Sequence, residues 1–319
     1  MQLLDADQSV TVEMLTGGVS SNVLKVIVGD KALCLKQALP KLKVAKDWTA
    51  PIDRVFSEID WMQTVATIVP NAVPKILGID KATGSFAMEF LAPEDYANWK
   101  AQLLRGEVDS SIAAQLGSTL GQIHAHTARN PQLAEKFATD ANFYALRLEP
   151  YLVETARNHP ALHTPLHAVI DTTAHTKLAL VHGDISPKNI LIGPRGPVIL
   201  DAECAWYGDP AFDLAFCLNH LLLKALHVTG KGTACLAAYS AMSAAYLDAV
   251  DWEPVADFER RCSALLPCLM LARVDGKSPA EYLNDAERLT VRQTASALIE
   301  QAPPQLATIR ELWGRKIHS

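Results

Sequence analysis

The most constraining feature of this chain is a short polar loop between two apolar runs, in the stretch LVHGDISPKNILIG that begins at Leu180. The apolar runs are typical of short β-strands, so the loop brings Asp184 and Asn189 close together. A third apolar run, GPVILD, follows a turn and ends at Asp201. We therefore expect a β-hairpin that sets Asp201 beside the loop.

These three side chains suit one kind of chemistry. A carboxylate that directly follows a strand, as Asp184 does, is exposed at a loop and can accept a proton from a hydroxyl group. The Asn189 oxygen and the Asp201 carboxylate are hard oxygen ligands, which Mg²⁺ prefers and commonly shares with substrate phosphates. A proton acceptor beside two metal ligands predicts phosphoryl transfer from a Mg²⁺–nucleotide.

The N-terminal part has the pattern of three short strands, VTVEML, NVLKVIV and KALCLKQAL, separated by glycine turns. Lys36 lies on the third strand, where a lysine can neutralise nucleotide phosphates. A helical pattern runs from about Pro51 to Ile68, and Glu58 on this helix can hold Lys36 through an ion pair. The first turn, TGGVSSN, offers small residues and free backbone N–H groups to phosphates: Gly17, Gly18, Ser20 and Ser21.

Two further strand patterns, PKILGID and SFAMEFLAP, precede a long region of helical pattern that begins near Tyr96. The stretch SSIAAQLGSTLGQIHAH predicts an amphipathic helix, and nearly everything after Pro210 is compatible with helix. We predict a β-rich lobe over residues 1–91 and a mainly helical lobe over residues 92–319. The hinge between them is expected near Glu89 to Pro93.

Composition narrows the class of protein. The net charge is -6 and no basic run stands out, which argues against a nucleic-acid partner. The apolar runs are too short or too interrupted to span a bilayer, and the N-terminus lacks the pattern of a signal peptide. The six cysteines contain no C-x-x-C pair and are expected to be buried free thiols. We expect a soluble cytoplasmic protein; its oligomeric state is not indicated.

The motif extends beyond the loop. The pattern H-G-D-x-x-x-x-N, the aspartate twelve residues later, and the segment LDAECAWYGDPAFDLA resemble the catalytic core of the aminoglycoside phosphotransferase and choline kinase family. LTGGVSSNVLKV, CLK and MEFL are similar to that family's glycine turn, strand-three lysine and interlobe hinge. The resemblance covers about residues 12–225, and the helical remainder more loosely.

The resemblance implies an α+β, bilobal, protein-kinase-like fold and transfer of the γ-phosphate of ATP to a hydroxyl of a small metabolite, with Mg²⁺ required. In that family pattern Asp184 is the catalytic base, and Asn189 and Asp201 are the metal ligands. His182 braces the loop and Asp213 holds it by hydrogen bonds. The nucleotide would be bound by Gly17, Gly18, Ser20, Ser21, Lys36, Glu58, Glu89 and Leu91.

Two other classes of protein share parts of this pattern. A protein kinase is disfavoured because Gly183 stands where protein kinases carry an arginine. It is also disfavoured because only nine positions separate Asp201 from Pro210, which leaves little room for an activation loop. A catalytically weak or inactive nucleotide-binding protein of the same fold stays open. It is disfavoured because every chemical position of the motif carries the expected residue type.

The acceptor is less constrained. Lys188 either approaches the transferred phosphate or is solvated. Glu203 contacts either the metal or solvent. Lys188, Glu203 and Arg273 are the candidate substrate contacts. In CLMLARVDGKSPAEYL the helix is expected to break at Gly276 and restart at Ser278-Pro279. Similar methylthioribose kinases use a basic segment here for their sugar, whereas a simple capping turn is the structural alternative.

The chain gives no support to one acceptor class in particular. Aminoglycosides are polycations and call for an acidic pocket, but the acidic stretch DAVDWEPVADFER is mixed with Arg260 and Arg261. A sugar, an amino alcohol or a related hydroxylated compound is the expected acceptor, and an aminoglycoside stays possible.

Overall fold

The computed structural model describes residues 9–15, 21–39 and 54–317. Gly17, Gly18 and Ser20 of the predicted glycine turn lie outside the described residues.

The N-terminal lobe is built on a five-stranded antiparallel sheet with the order β1-β2-β3-β5-β4. All five predicted strands are present: β1 (Val10–Met14), β2 (Ser21–Val28), β3 (Lys31–Ala38), β4 (Ile76–Asp80) and β5 (Ser85–Glu89). On β3 the side chains of Cys34, Lys36 and Ala38 alternate onto the buried face. The period of two therefore places a lysine inside the lobe.

One helix, α1 (Arg54–Ala66), lies against this sheet. Its buried apolar side chains include Val55, Ile59, Met62 and Val65, which lie on the face that the sequence predicts. Glu58 is buried on the same face, so the helix directs a carboxylate towards β3. The division into lobes at residues 91 and 92 stays a prediction.

The remainder of the chain is mainly helical and confirms the predicted α+β class. Its helices are α2 (Trp99–Leu104), α3 (Ser110–Thr127), α4 (Pro131–Lys136), α5 (Asp140–Phe143), α6 (Glu154–Asn158), α7 (His163–His175), α8 (Ala211–His227), α9 (Gly232–Leu247), α10 (Val255–Asp275), α11 (Asp285–Gln301) and α12 (Leu306–Ile317). A π-helical segment, Tyr144–Val153, joins α5 to α6.

Five short strands lie within the helical part: β6 (Ala97–Asn98), β7 (Ala179–Val181), β8 (Ile190–Gly193), β9 (Gly196–Ile199) and β10 (Trp206–Gly208). The predicted hairpin is β8–β9, in which Ile190 pairs with Ile199, and β6 extends it on the β8 side. The strand before the loop, β7, pairs instead with β10. The polar loop therefore bridges two separate small sheets.

The helix expected to restart at Ser278-Pro279 does not form there, so that prediction was wrong. α10 ends at Asp275, and α11 begins only at Asp285. The reason is a stronger start signal, a capping box in which Asn284 and Glu287 each accept the other's backbone N–H at 2.9 Å. The residues between the two helices form an irregular connection.

The core of the helical part is closely packed. Where α3 meets α9, a Cβ on Gly117 would lie 2.3 Å from the Met242 carbonyl oxygen, so only glycine allows this approach. All six cysteines are buried free thiols, as predicted. Among the described residues, no helix is long and apolar enough to cross a membrane.

One residue of this core is unusual, because Lys224 on α8 is only 1% exposed. Burial, helped by the nearby positive charges of Lys100 and Arg273, lowers the pKa of Lys224 from 10.5 to about 8, although Cys217 and Cys235 act in the opposite direction. Since one pKa unit corresponds to about 1.4 kcal/mol, this shift corresponds to a folding cost of roughly 3 kcal/mol.

We predict that Lys224→Met raises the melting temperature at pH 7, because the variant removes a buried charge with little change in volume. The unfolded chain holds the Lys224 proton more tightly between pH 8 and 10.5. The wild-type cost is therefore complete below pH 8 and disappears towards pH 10.5, and the gain should shrink over that range. Thermal unfolding at pH 7 and pH 10 measures this, with exposed Lys81→Met as the control. A lower melting temperature of Lys224→Met at pH 7 would contradict the prediction.

Candidate active site

The polar loop is held in shape by one carboxylate from α8. Asp213 accepts the His182 backbone N–H at 2.7 Å through Oδ2 and the Gly183 backbone N–H at 2.8 Å through Oδ1. Gly183 has φ +79°, and a Cβ there would lie 2.8 Å from the Cys204 carbonyl oxygen. A glycine is therefore required at this position, where protein kinases have arginine, and the structure contains the bracing by Asp213 that the family pattern implies.

His182 links the loop to the following strands. Burial lowers the pKa of its imidazole, which is therefore neutral. Its Nδ1 accepts the Asp184 backbone N–H at 3.0 Å, so Nε2 carries the proton and donates to the Leu200 carbonyl oxygen at 3.1 Å. The ring also meets the edge of Trp61 on α1 at 4.8 Å. These contacts match the structural role expected for His182.

Asp184 is buried and faces two cations. Its Oδ2 lies 2.9 Å from an Arg147 guanidinium nitrogen and 3.2 Å from Lys188 Nζ. Burial raises the pKa of Asp184, but Arg147 and Lys188 lower it by more, so its net pKa lies below the usual range. The carboxylate is therefore ionised at neutral pH and able to accept a proton.

Arg147 is a site residue that the sequence reasoning missed. It lies in the π-helical segment, is buried, and also donates through Nε to the Gly183 carbonyl oxygen. Its guanidinium lies 5.8 Å from the ring centre of Tyr151 and 5.9 Å from that of Phe216. The arginine in the mainly apolar stretch YALRLEPYLV, whose other charged residue is Glu149, is the signal that could have marked it.

The hairpin brings the two proposed metal ligands to one end. The Leu200 N–H donates to the Asn189 carbonyl oxygen at 2.9 Å, directly before Asp201. Asp201 adopts the left-handed conformation with φ +69°, which ends β9 early and which aspartate tolerates better than most residues. The Asn189 amide donates to the Asp184 carbonyl oxygen at 3.0 Å, and its Oδ1 makes no hydrogen bond with the described residues.

Lys36 lies at the centre of a cluster of three carboxylates. Its Nζ is 2.8 Å from Glu58 Oε2, 2.6 Å from Asp201 Oδ1 and 3.2 Å from Glu203 Oε1. The predicted ion pair between Lys36 and Glu58 is thus present and buried. Burial lowers the pKa of Lys36, but the three carboxylates raise it by more and keep the ammonium charged.

Glu203 belongs to this cluster and does not line the cavity described below, as a substrate contact would. Its Oε1 accepts from Ser21 Oγ at 2.6 Å, and its Oε2 accepts from Arg54 Nε at 2.9 Å. The predicted nucleotide contact Ser21 therefore lies at the start of β2 and holds a carboxylate in place.

The cluster fits a divalent cation. Glu58, Asp201 and Glu203 offer one oxygen each within 4.8 Å of one another, and two cations, Lys36 and Arg54, face these three carboxylates. Hard carboxylate oxygens match the ligand preference of Mg²⁺. Burial, opposed by Lys36 and reinforced by the neighbouring carboxylates, raises the pKa of Glu58 above its usual range.

The predicted hinge follows β5. Glu89 ends that strand, and its backbone N–H donates to the Lys75 carbonyl oxygen at 2.8 Å. Leu91 lies just beyond and is partly exposed, and its backbone makes no hydrogen bond with the described residues. The hinge therefore offers a backbone donor and acceptor beside the sheet.

A cavity of about 210 Å³ opens beside Asp184, which is one of its lining residues. α8 contributes Phe216, His220 and Lys224 at helical spacing, and Arg273 of α10 also lines the cavity. Its remaining lining residues are Lys100, Tyr151, Asp184, Ser186, Pro187, Lys188, Ser278, Pro279, Glu281 and Tyr282. The structure thus brings Lys188 and Arg273 to one cavity with Asp184.

The other charges at the α10 break have protein partners. Asp275 binds Arg292 at 2.6 and 2.7 Å, and Lys277 binds Glu149 at 2.7 and 2.8 Å. Arg273 donates to Ser278 Oγ at 3.0 Å. Of this charged group, Arg273 alone lines the cavity, and its role as a substrate contact stays a prediction.

Curated relatives are similar over most of the chain. Methylthioribose kinase of Pectobacterium atrosepticum is 29% identical over 244 residues, covering 67% of this chain and 60% of that protein. Methylthioribose kinase of Yersinia pseudotuberculosis is 26% identical over 256 residues, covering 70% of this chain and 61% of that protein. The chain thus matches about three fifths of the length of these relatives.

Solved structures share the fold at low identity. Ethanolamine kinase of Plasmodium vivax gives a TM-score of 0.58 at 12% identity over 95% of this chain and 86% of that chain. Choline kinase of Cryptosporidium parvum gives 0.57 at 12% identity over 94% and 92%. Amicoumacin kinase in complex with AMP-PNP and Ca²⁺ gives 0.55 at 13% identity over 92% and 90%. These likenesses confirm the predicted kinase-like fold.

The polar loop and the carboxylate cluster around Lys36 both lie within the region matched by one protein family. The model of the phosphotransferase enzyme family matches residues 11–258, which is more than three quarters of the chain. The chain belongs to the phosphotransferase enzyme family.

Proposed function

We propose that the protein is a small-molecule kinase that transfers the γ-phosphate of ATP to a hydroxyl group of a small metabolite in a Mg²⁺-dependent reaction. One observation carries the proposal. Asp201, at the end of the hairpin, contacts Lys36, while Asp184, which precedes Asn189 by five residues, lines a separate cavity. The methylthioribose kinases and the solved kinase structures to which this chain is similar support it.

The nucleotide would lie on the Lys36 side. Lys36 is charged, buried and oriented by Glu58, as a phosphate-binding lysine must be. The free backbone groups of Leu91 suit the hydrogen-bonding edge of an adenine ring. The turn containing Gly17 and Gly18 would cover the phosphates, and both residues lie outside the described part of the chain.

Asp201 and Asn189 would hold Mg²⁺, with Glu203 close enough to share it. The ion would neutralise the charge that develops on the phosphate oxygens during transfer. Lys36 and Arg54 keep the Glu203 carboxylate in position.

Asp184 would orient the acceptor hydroxyl and take its proton. The hydroxyl oxygen attacks the γ-phosphorus, the bond from that phosphorus to the bridging oxygen of ADP breaks, and the proton passes to Asp184. Asp184 is a weak base because its pKa is lowered, which suits late proton transfer in a loose transition state.

Buried free thiols support a reducing, cytoplasmic setting.

We predict that Asp184→Asn lowers kcat by roughly 10²–10⁴-fold, because the amide cannot accept the proton. Its affinity for Mg²⁺–ATP should change little. Steady-state ATP consumption with an accepted compound measures the first quantity, and thermal shift with nucleotide measures the second. Unchanged turnover in a folded variant would remove Asp184 from the mechanism.

Asp201→Ala should behave differently, because it removes a metal ligand. We expect Mg²⁺ with AMP-PNP to raise the melting temperature of the wild type, and this increase to be largely lost in Asp201→Ala. AMP-PNP with EDTA is the control. If the wild type shows no Mg²⁺-dependent stabilisation at millimolar AMP-PNP, the protein is not an active kinase.

Arg147 should act on the reaction through Asp184. Arg147→Met removes a positive charge that offsets the effect of burial on Asp184, so the pKa of Asp184 should rise. The acid limb of the kcat–pH profile should therefore move to higher pH. Arg147→Lys keeps a charge near Asp184 and should move the limb less. A uniform loss of kcat with no displacement of the profile would indicate a purely structural role.

A further inference from the structure

We propose that the acceptor carries an anionic group, a carboxylate or a phosphate, in addition to the hydroxyl that is phosphorylated, and that Lys224 and Arg273 bind this group. The proposal rests on the proposed kinase function, and it names the substrate class of the cavity beside Asp184.

The first argument is the charge balance of the cavity. Four basic side chains line it, namely Lys100, Lys188, Lys224 and Arg273, against the two carboxylates of Asp184 and Glu281. Both carboxylates already have partners, since Asp184 pairs with Arg147 and Lys188, and Glu281 pairs with Lys100. Lys224 and Arg273 make no ion pair with any described residue. The cavity therefore has an excess of positive charge away from the catalytic loop.

The second argument is the burial of Lys224. Its ammonium is 5.0 Å from the ring centre of Tyr282, and no carboxylate of the described residues lies within ion-pair distance. An unpaired buried ammonium destabilises the fold unless something compensates it. A bound anion would provide that compensation, and the side chain lines the cavity in which it would bind.

The third argument is a set of unused hydrogen-bond groups among the residues that line the cavity. Arg273 Nε, Tyr282 Oη and Ser186 Oγ are buried and make no hydrogen bond with the described residues. All three can donate, and a carboxylate or phosphate offers only acceptor oxygens at neutral pH. His220, neutral because burial and the nearby cations lower its pKa, adds a polar group without adding charge.

The same charges disfavour other acceptors. A choline-like amine or an aminoglycoside would bring further positive charge to Lys224 and Arg273 with no acid free to receive it. A neutral sugar would leave the buried Lys224 uncompensated. A hydroxylated acid would fit the charges at both ends of the cavity. Its anionic group would bind Lys224 of α8 and Arg273 of α10, and its hydroxyl group would lie at Asp184.

Binding is tested first, independently of turnover. Wild type, Lys224→Met and the exposed-lysine control Lys81→Met are titrated with D-gluconate, glycerol 3-phosphate and sorbitol at constant ionic strength, in saturating Mg²⁺–AMP-PNP. We expect at least one anion to raise the melting temperature of the wild type and Lys81→Met saturably, and this rise to be lost in Lys224→Met. No rise in the wild type, or an equal rise in all three proteins, overturns the proposal.

Turnover then distinguishes the sources of the anion. ATP consumption is compared for matched pairs in which an anionic group takes the place of one terminal hydroxyl group, gluconate against sorbitol and ribose 5-phosphate against ribose, together with choline and kanamycin. The anionic member of a pair should be preferred, and Lys224→Met should raise its KM by about 10–100-fold, the loss expected for a charged hydrogen bond. Preference for a neutral or cationic compound overturns the proposal.

The outcomes separate the two proposals. If Mg²⁺–AMP-PNP fails to stabilise the wild type but an anion still binds through Lys224, the kinase function fails and the anion site stands. If Asp184→Asn abolishes turnover of neutral compounds that Lys224→Met uses normally, the kinase function stands and the anion site fails.

Discussion

A single buried ammonium, that of Lys36, connects the sheet to the catalytic hairpin. It touches Glu58 of α1 on one side and the carboxylates of Asp201 and Glu203 on the other. Each of these groups is costly to bury alone, and the three ion pairs together make the arrangement tolerable. The position of the sheet against the hairpin, and with it the position of any phosphate chain, depends on these ion pairs together with the contacts of Ser21 and Arg54 to Glu203.

The chemical half of the site could be predicted because its signals are local. Asp184, Asn189 and Asp201 lie within eighteen residues on one loop and hairpin, and their spacing alone brings them together. Lys36 and Glu58 could also be predicted from periodicity. The period of two in β3 and the period of 3.6 in α1 each identify a buried face, and these two faces contact each other. The strands of the sheet were recognised for the same reason.

What the sequence did not show depends on contacts between distant segments. Arg147 and Lys224 each lie in a mainly apolar helical stretch, where periodicity cannot tell a buried cation from one that reaches solvent. The start of α11 was misplaced because Ser278-Pro279 is a legitimate cap signal, while the capping box at Asn284 is stronger. The conformation of Asp201, with positive φ, has no signature in the sequence beyond the tolerance of aspartate for it.

α8 has two tasks that lie at different places along its length. Asp213 in its first turn fixes the catalytic loop, and Phe216, His220 and Lys224, which are spaced four residues apart, form one wall of the cavity. At 1.5 Å per residue, the wall from Phe216 to Lys224 extends about 12 Å. Substitutions along this stripe would change which compounds enter while Asp213 keeps the loop intact. Acceptor choice can thus diverge among descendants of this chain, or be redesigned in the laboratory, without rebuilding the catalytic machinery.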